Sequence, residues 1–232
     1  MKPKGIQIDI NRLKKSQLYS EELGINLWEN DDREIFKWFL ASLLFGARIS
    51  ETIAKKTYKT FERYHLLEPK TILESGWDYL VSPIMREGGY VRYDGKTSTK
   101  VLRNCHAILV NYHGSLKNLH EEAQNSRDLE SKLTGLYGIG PVTANIFLRE
   151  LRTVWEKCDP DPLPVVKEMA ERFKIDLGQY DRKSEDFIRI EAGLIRLKKQ
   201  KKQSPCNPLI QTLNGLRQVC TIWFEKKTTK VC

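Results

Sequence analysis

The segment from Leu133 to Leu148, LTGLYGIGPVTANIFL, constrains the fold of this chain more than any other. Its pattern predicts a helix, a Gly-Ile-Gly turn and a second helix that begins at Pro141. Gly138 and Gly140 let the backbone take positive φ angles and approach another molecule without an intervening Cβ. The free amides at the start of the second helix, with the helix dipole behind them, then form a site for one phosphate. A tight connection between two helices is the alternative interpretation.

The apolar residues of this segment favour two short helices that bury a shared face. They lie at helical spacing, and the small Ala144 allows a close approach: Leu133, Leu136, Ile139, Ala144, Phe147 and Leu148. Together with the glycines, these residues resemble the helix-hairpin-helix motif. We expect its helices over residues 127–136 and 141–155.

The charge balance suits a polyanionic partner. The 232 residues include 39 Lys and Arg against 30 Asp and Glu, a formal net charge of +9. This excess favours DNA through counterion release and electrostatic steering, although a basic, inert surface would have the same composition. The sequence has no long apolar run, its first five residues lack the apolar core typical of a signal peptide, and its five cysteines are scattered. We therefore expect no membrane contact and an intracellular location with reduced thiols.

Helical spacing extends over nearly the whole chain, and strand-like alternation is almost absent, so the sequence predicts an all-α fold. Cap signals predict helices from Asn30 or Asp31 to Phe45 and from Ser50 to about Tyr64. A longer helix is expected over about 97–112. After the hairpin, helices are expected up to Phe173, over 184–199 and over 207–224.

Two carboxylates precede the helix that ends near Phe173, within the segment DPDPLPVV that begins at Asp159. With them, the chain resembles the helix-hairpin-helix DNA glycosylase superfamily, which includes endonuclease III and the MutY-type adenine glycosylases. The family pattern Leu-x-Gly-x-Gly-x-x-Thr-Ala is matched from Leu136 to Ala144. Downstream, the family has an aspartate at the N-terminus of the next helix.

The resemblance implies that Asp161 is the catalytic aspartate, with Asp159 as the second choice because this segment holds extra residues. A fixed carboxylate stabilises the positive charge that develops on the sugar and can orient a water molecule. A plain N-cap, with Pro162 at the first helical position, is the alternative role of Asp161. Phosphate binding is implied for the backbone of Gly138, Gly140, Val142 and Thr143.

Two departures from the family pattern bear on the chemistry. Bifunctional members carry, at position 142, a lysine that attacks the sugar and leads to strand cleavage. Val142 has no nucleophile, which implies a monofunctional enzyme unless Lys132 or Lys167 substitutes. Many relatives hold an iron–sulfur cluster on four closely spaced cysteines. Here the cysteines of the C-terminal region are too far apart, so we expect no metal and no cofactor: Cys206, Cys220 and Cys232.

A glycosylase must take its target base out of the stack, which requires a wedge and a pocket. The segment LLFGARIS, from Leu43 to Ser50, resembles the family turn that inserts a side chain into DNA. Ala47 matches the inserted position but is small, so we expect Arg48 to act beside it. Four aromatic residues are candidates to stack on the base, although core packing is the more common role: Trp28, Trp38, Tyr90 and Tyr93.

The resemblance thus implies two helical domains around a DNA-binding cleft. We expect a six-helix barrel over 44–152, which holds the hairpin, and a second domain formed by 1–43 and 153–232. The implied function is excision of a damaged or mismatched base from double-stranded DNA by a monomer, through hydrolysis of the N-glycosidic bond. The alternatives are a bifunctional glycosylase/lyase and a non-enzymatic DNA-binding protein.

Overall fold

Helices form the regular secondary structure of residues 8–203, the part of the chain that the computed structural model describes. This confirms the all-α prediction for that part. The helices are α1 (Ile10–Lys14), α2 (Tyr19–Leu23), α3 (Asp32–Phe45), α4 (Glu51–Arg63), α5 (Pro69–Tyr79), α6 (Arg86–Gly88), α7 (Asp94–Tyr112), α8 (Leu116–Glu122), α9 (Ser126–Gly135), α10 (Pro141–Arg149), α11 (Pro164–Phe173) and α12 (Glu185–Gln203). Among these, no helix is long and apolar enough to cross a membrane.

The predicted cap residues begin and end α3 and α4. The Asp31 carboxylate accepts hydrogen bonds from the amides of Arg33 and Glu34, and Gly46 follows the last residue of α3. The Ser50 hydroxyl accepts one from the amide of Ile53 at the start of α4. Caps of this kind satisfy amides that the helix itself leaves without partners. Both predicted helices are therefore confirmed, with bounds within a residue or two.

Helix α10 ends at Arg149, so the prediction that it continues to 155 is wrong. The next residue, Glu150, contacts the N-terminal segment. Its carboxylate accepts hydrogen bonds from the amides of Tyr19 and Ser20 at 3.1 and 2.9 Å. Glu150 is buried, and burial raises the pKa of its carboxyl. These contacts join residues about 130 positions apart, which no local periodicity reports. The short helices α1, α2 and α8 also escaped prediction.

Aromatic packing joins α10 to α3. Phe147 packs edge-on against Phe39 at 5.5 Å and against Trp155 at 5.7 Å between ring centroids. Trp38 is fully buried and donates from its indole nitrogen to the carbonyl of Phe147 at 2.9 Å. The indole is thus both buried and hydrogen-bonded, as buried tryptophans usually are. This contact fixes the last turn of α10 relative to the middle of α3.

The chain divides into one unit that ends at Ile195 and a second that begins at Arg196. The described part of the second unit is the end of α12. The boundaries expected for two domains, 44–152 against 1–43 with 153–232, stay a prediction. The helix expected over 207–224 and the three C-terminal cysteines lie outside the described residues.

Candidate functional site

A turn over residues 136–140, here called the glycine turn, joins α9 to α10. Gly138 has φ +68°, a left-handed conformation that favours glycine. Gly140 is extended, with φ −95° and ψ 173°, so the expectation of a positive φ at both glycines is wrong for Gly140. Gly140 is the N-cap residue of α10, and Pro141 occupies the first helical position as predicted.

The amides at the start of α10 face an open surface. No side chain caps this helix, and within the described residues the amides of Val142 and Thr143 have no acceptor. Val142 is 52% exposed, and a Cβ placed on Gly140 would meet no atom within 4 Å. Gly140 is therefore required neither by its φ nor by its own neighbours. An anion can approach these amides and the N-terminal end of the helix dipole freely.

The side chain of Thr143 points away from this surface. Thr143 is 5% exposed, and a Cβ added to Gly46 would collide with its hydroxyl. The absence of that Cβ allows the end of α3 to approach the first turn of α10. Only the backbone amide of Thr143 can thus serve the predicted phosphate site. The same contact brings the turn over residues 46–48 against the first turn of α10.

The predicted wedge residues lie in that second turn. Arg48 is exposed and Ala47 is half-buried. The described residues offer Arg48 no salt bridge. Two of the predicted stacking aromatics are core residues instead: Trp38 is fully buried, and so is Tyr90, whose hydroxyl donates to the carbonyl of Leu44 at 2.9 Å. Of the other two, Trp28 is 49% exposed and Tyr93 is half-buried.

A hydrogen bond joins the backbone of Asp161 to a side chain of α10. Its carbonyl accepts a hydrogen bond from the side-chain amide of Asn145 at 2.7 Å. Its carboxylate is 80% exposed and pairs with Arg182 at 3.1 Å. Asp159 is 36% exposed and faces two arginines, with Arg182 at 2.8 Å and Arg152 at 3.6 Å. Asp161 is therefore the more accessible of the two predicted carboxylates.

Neither aspartate caps the helix that follows. Helix α11 begins at Pro164, and its N-cap residue is Leu163, which makes no side-chain cap. The expectation that Asp161 is an N-cap followed by Pro162 at the first helical position is therefore wrong. In the family that the sequence resembles, an aspartate stands at the N-terminus of this helix. Here Asp161 precedes the N-cap by two residues.

A buried ion pair supports the loop that carries both aspartates. The side chain of Arg152 has no solvent exposure, pairs with the buried carboxylate of Glu191, and donates to the carbonyl of Pro160. A buried charge needs such partners because leaving water costs several kcal/mol, an order-of-magnitude figure. Arg152 also lies 5.1 Å from the ring centroid of Phe187.

Glu130, on α9, adds a third carboxyl group to this region. Burial raises its pKa, and the negative charges of Asp161 and Asp159 raise it further. Arg182 and Arg152 oppose that effect. Three carboxyl groups thus share the field of two arginines around the 159–161 loop.

Sequence reasoning missed Asn145, Arg152, Arg182 and Glu191. A polar residue within the apolar run that follows Ala144 was a signal for Asn145. No local pattern points to the other three, because their partners are distant in sequence. Of the two lysines considered as alternative nucleophiles, Lys167 is exposed, and the ammonium of Lys132 lies 4.0 Å from the carboxylate of Glu122. Comparisons with protein-family models, with curated proteins and with solved structures found no match for this chain.

Proposed function

We propose that this chain is a DNA glycosylase that excises a damaged or mismatched base from double-stranded DNA. The observation that carries the proposal is the set of contacts made by α10. Its N-terminus presents free amides, its Thr143 packs on the turn of Ala47 and Arg48, and its Asn145 holds the loop of Asp161. One helix thus joins an anion site, a candidate wedge and a carboxylate.

The glycine turn and α10 would act as the helix-hairpin-helix motif. The amides of Gly138, Gly140, Val142 and Thr143 would hold one phosphate of the DNA backbone, and the positive end of the helix dipole would add to the attraction. The +9 net charge would strengthen binding through counterion release. The neighbouring turn would place Arg48 against the base stack once a base leaves it.

Asp161 would carry the chemistry. Cleavage of the bond between the sugar carbon and the base nitrogen leaves positive charge on the sugar, and a carboxylate stabilises that charge. The bonding electron pair leaves with the base nitrogen, water adds to the sugar carbon, and the proton that the water loses is balanced by protonation of the departed base, which leaves an abasic site and the free base. Asp161 is preferred to Asp159 because Asp159 already pairs with two arginines. Val142 offers no amine, so strand cleavage is not part of the proposal.

One observation favours a second candidate, a DNA-binding protein without catalytic activity. The N-cap position of α11, where the resembled family has its aspartate, is occupied by Leu163. In that case the free amides would still bind DNA, and Asp161 with Arg182 would only stabilise the loop.

Base release decides between the two candidates. The wild-type protein is incubated with duplexes that carry one lesion or mismatch each, and strand breaks are measured with and without alkali. Breaks that require alkali and disappear in Asp161→Asn support the monofunctional glycosylase. The matched variant Asp159→Asn retains activity if the assignment to Asp161 is right. Binding without release from any duplex supports the second candidate, and a covalent complex trapped by borohydride would show a lyase instead.

The remaining features of the proposal follow from the same site. The protein would act as a monomer on its DNA, since one copy supplies the amides, the turn and the carboxylate. It would act inside the cell, where the thiols of Cys105 and Cys158 stay reduced. Both are free and buried in the structure.

A further inference from the structure

Three cations follow one face of α7. Lys96, Lys100 and Arg103 are separated by four and three residues, which places them on the same side of the helix. We call them the basic stripe. Lys96 and Arg103 are exposed, and Lys100 is half-buried. Within residues 8–203, none of the three forms a salt bridge or a hydrogen bond with a carboxylate.

Lys100 lies directly against the glycine turn. A Cβ placed on Gly138 would be 3.1 Å from the Cε of Lys100 and within 4 Å of two more of its side-chain carbons. The aliphatic chain therefore packs on the backbone of the turn. This burial lowers the pKa of the Lys100 ammonium. A nearby anion would offset that cost by favouring the charged form.

Arg103 is held by the turn on its other side. Its guanidinium carbon lies 4.2 Å from the ring centroid of Tyr137, a close cation–π contact. The carbonyl of Tyr137 accepts a hydrogen bond from the side-chain amide of Asn104 at 3.2 Å. Tyr137 is 48% exposed, so the stacked pair lies at the surface. Stacking restrains the guanidinium while leaving the N–H groups in its plane free to donate.

We propose that the basic stripe binds the phosphodiester backbone of DNA, next to the phosphate held by the glycine turn. This inference rests on the proposed function, because it extends the same DNA site. The stripe is continuous with the free amides through Lys100 and Tyr137, and no carboxylate among residues 8–203 pairs with its charges. A guanidinium offers paired donors that match phosphate oxygens. Tyr137 is a positioning residue, since it acts through Arg103.

The test measures duplex binding as a function of salt. Each phosphate contact by a cation contributes about −0.9 to the slope of log K against log salt concentration. We expect Lys100→Ala and Arg103→Ala each to lower affinity and to reduce that slope by about 0.9. The matched controls are Lys59→Ala and Arg63→Ala on α4, which remove the same charges and should leave the slope unchanged. Far-UV circular dichroism confirms that each variant is folded.

A double-mutant cycle tests the positioning role of Tyr137. Tyr137→Phe keeps an aromatic face for Arg103 and should retain affinity, whereas Tyr137→Leu should lose part of it. In the Arg103→Ala background, Tyr137→Leu should have no further effect. Additive losses would overturn the positioning role, because independent residues give additive effects.

Three outcomes would overturn the inference. Slopes that stay unchanged in Lys100→Ala and Arg103→Ala, while Gly140→Ser weakens duplex binding, would leave the proposed function intact and remove the stripe from it. Equal losses in the α4 controls would show a general effect of charge. Polyglutamate that competes as well as duplex would show a site for any polyanion. Absence of duplex binding by the wild-type protein would instead overturn the proposed function itself.

Discussion

Helices α4 and α7 each carry two lysines and one arginine along one face, but within residues 8–203 only the charges on α4 pair with carboxylates. Lys55 pairs with Glu22 and Glu51, Lys59 with Glu62, and Arg63 with Glu87. The basic stripe of α7 has no such carboxylates in the described part of the chain. The amino-acid composition includes the cations of both helices and does not distinguish paired cations from unpaired ones. The comparison teaches that net charge predicts a polyanion partner only where the fold leaves cations unpaired.

The same contrast separates the helix N-termini. Amides that begin α3 and α4 donate hydrogen bonds to the side chains of their N-cap residues, whereas no side chain caps the amides that begin α10. The uncapped amides and the unpaired cations meet at the glycine turn. At this turn a single ligand could satisfy both kinds of group. Four predictions test this comparison, from the largest expected effect to the smallest.

Removing one member of a buried ion pair should cause the largest loss of unfolding free energy. Arg152→Ala leaves the buried carboxylate of Glu191 without a counter-charge, and such a change typically costs about 3–5 kcal/mol of unfolding free energy. The measurement is urea unfolding, with Arg63→Ala as the control. Because Arg63 is exposed and its ion pair is screened by water, its loss should cost no more than about 1 kcal/mol. Similar losses of unfolding free energy in both variants would contradict the distinction between buried and exposed ion pairs.

Supplying a partner to the free amides should stabilise the protein and weaken binding. In Gly140→Ser, the introduced hydroxyl can accept from the amides of Val142 and Thr143, as a serine N-cap does. We expect a few tenths of a kcal/mol of added stability. Affinity for duplex should fall by about tenfold, the loss that corresponds to one hydrogen bond to a charged group. Unchanged affinity in fluorescence anisotropy would remove the amides from the DNA site.

The carboxyl groups around the 159–161 loop predict a pH effect. The pKa of Glu130 is raised in the folded protein, so its contribution to stability is fully present below about pH 4.5 and is lost as pH rises through the folded pKa. Glu130→Gln removes that ionisation. The variant should therefore gain stability relative to wild type between about pH 4 and pH 7. Urea unfolding at both pH values measures the difference, and a constant difference would contradict the prediction.

Freeing a cation on α4 should have the smallest effect. Glu62→Gln leaves Lys59 without its carboxylate but with its hydrogen bond to the carbonyl of Leu23. Stability should change by less than about 1 kcal/mol, as for other exposed pairs. Duplex affinity should stay unchanged, because Lys59 is not part of the basic stripe. A gain in affinity would show that any unpaired lysine suffices and that position does not matter.

The sequence predicted the helical class and the elements that local signals define. Asp31, Ser50 and Pro141 begin their helices as expected, because a cap and its amides lie within a few residues of each other. The predicted helix bounds were wrong where contacts between residues distant in sequence determine where a helix begins or ends. Helix α10 stops early as Glu150 turns to the N-terminal segment, and α11 starts later than expected, which leaves Asp161 outside the helix.

The candidate site divides in the same way. The sequence predicted the glycine turn and the start of α10 at its proline, because a turn and a helix N-terminus depend on neighbouring residues alone. The packing of the Thr143 side chain on Gly46 was not predicted, because these two residues are distant in sequence. Asn145, Arg152 and Arg182 were not expected at all. Their roles depend on the loop over residues 159–161 folding back onto them.

The sequence by itself determined that the chain is helical, where several helices begin, and that an uncapped glycine turn precedes α10. Those properties follow from hydrogen bonds and steric limits within a few residues. The tertiary structure alone decided which described cations lie apart from carboxylates, which aspartate is accessible, and which turn packs on the start of α10. These depend on side chains brought together from distant positions, and their energies exist only once the chain has packed.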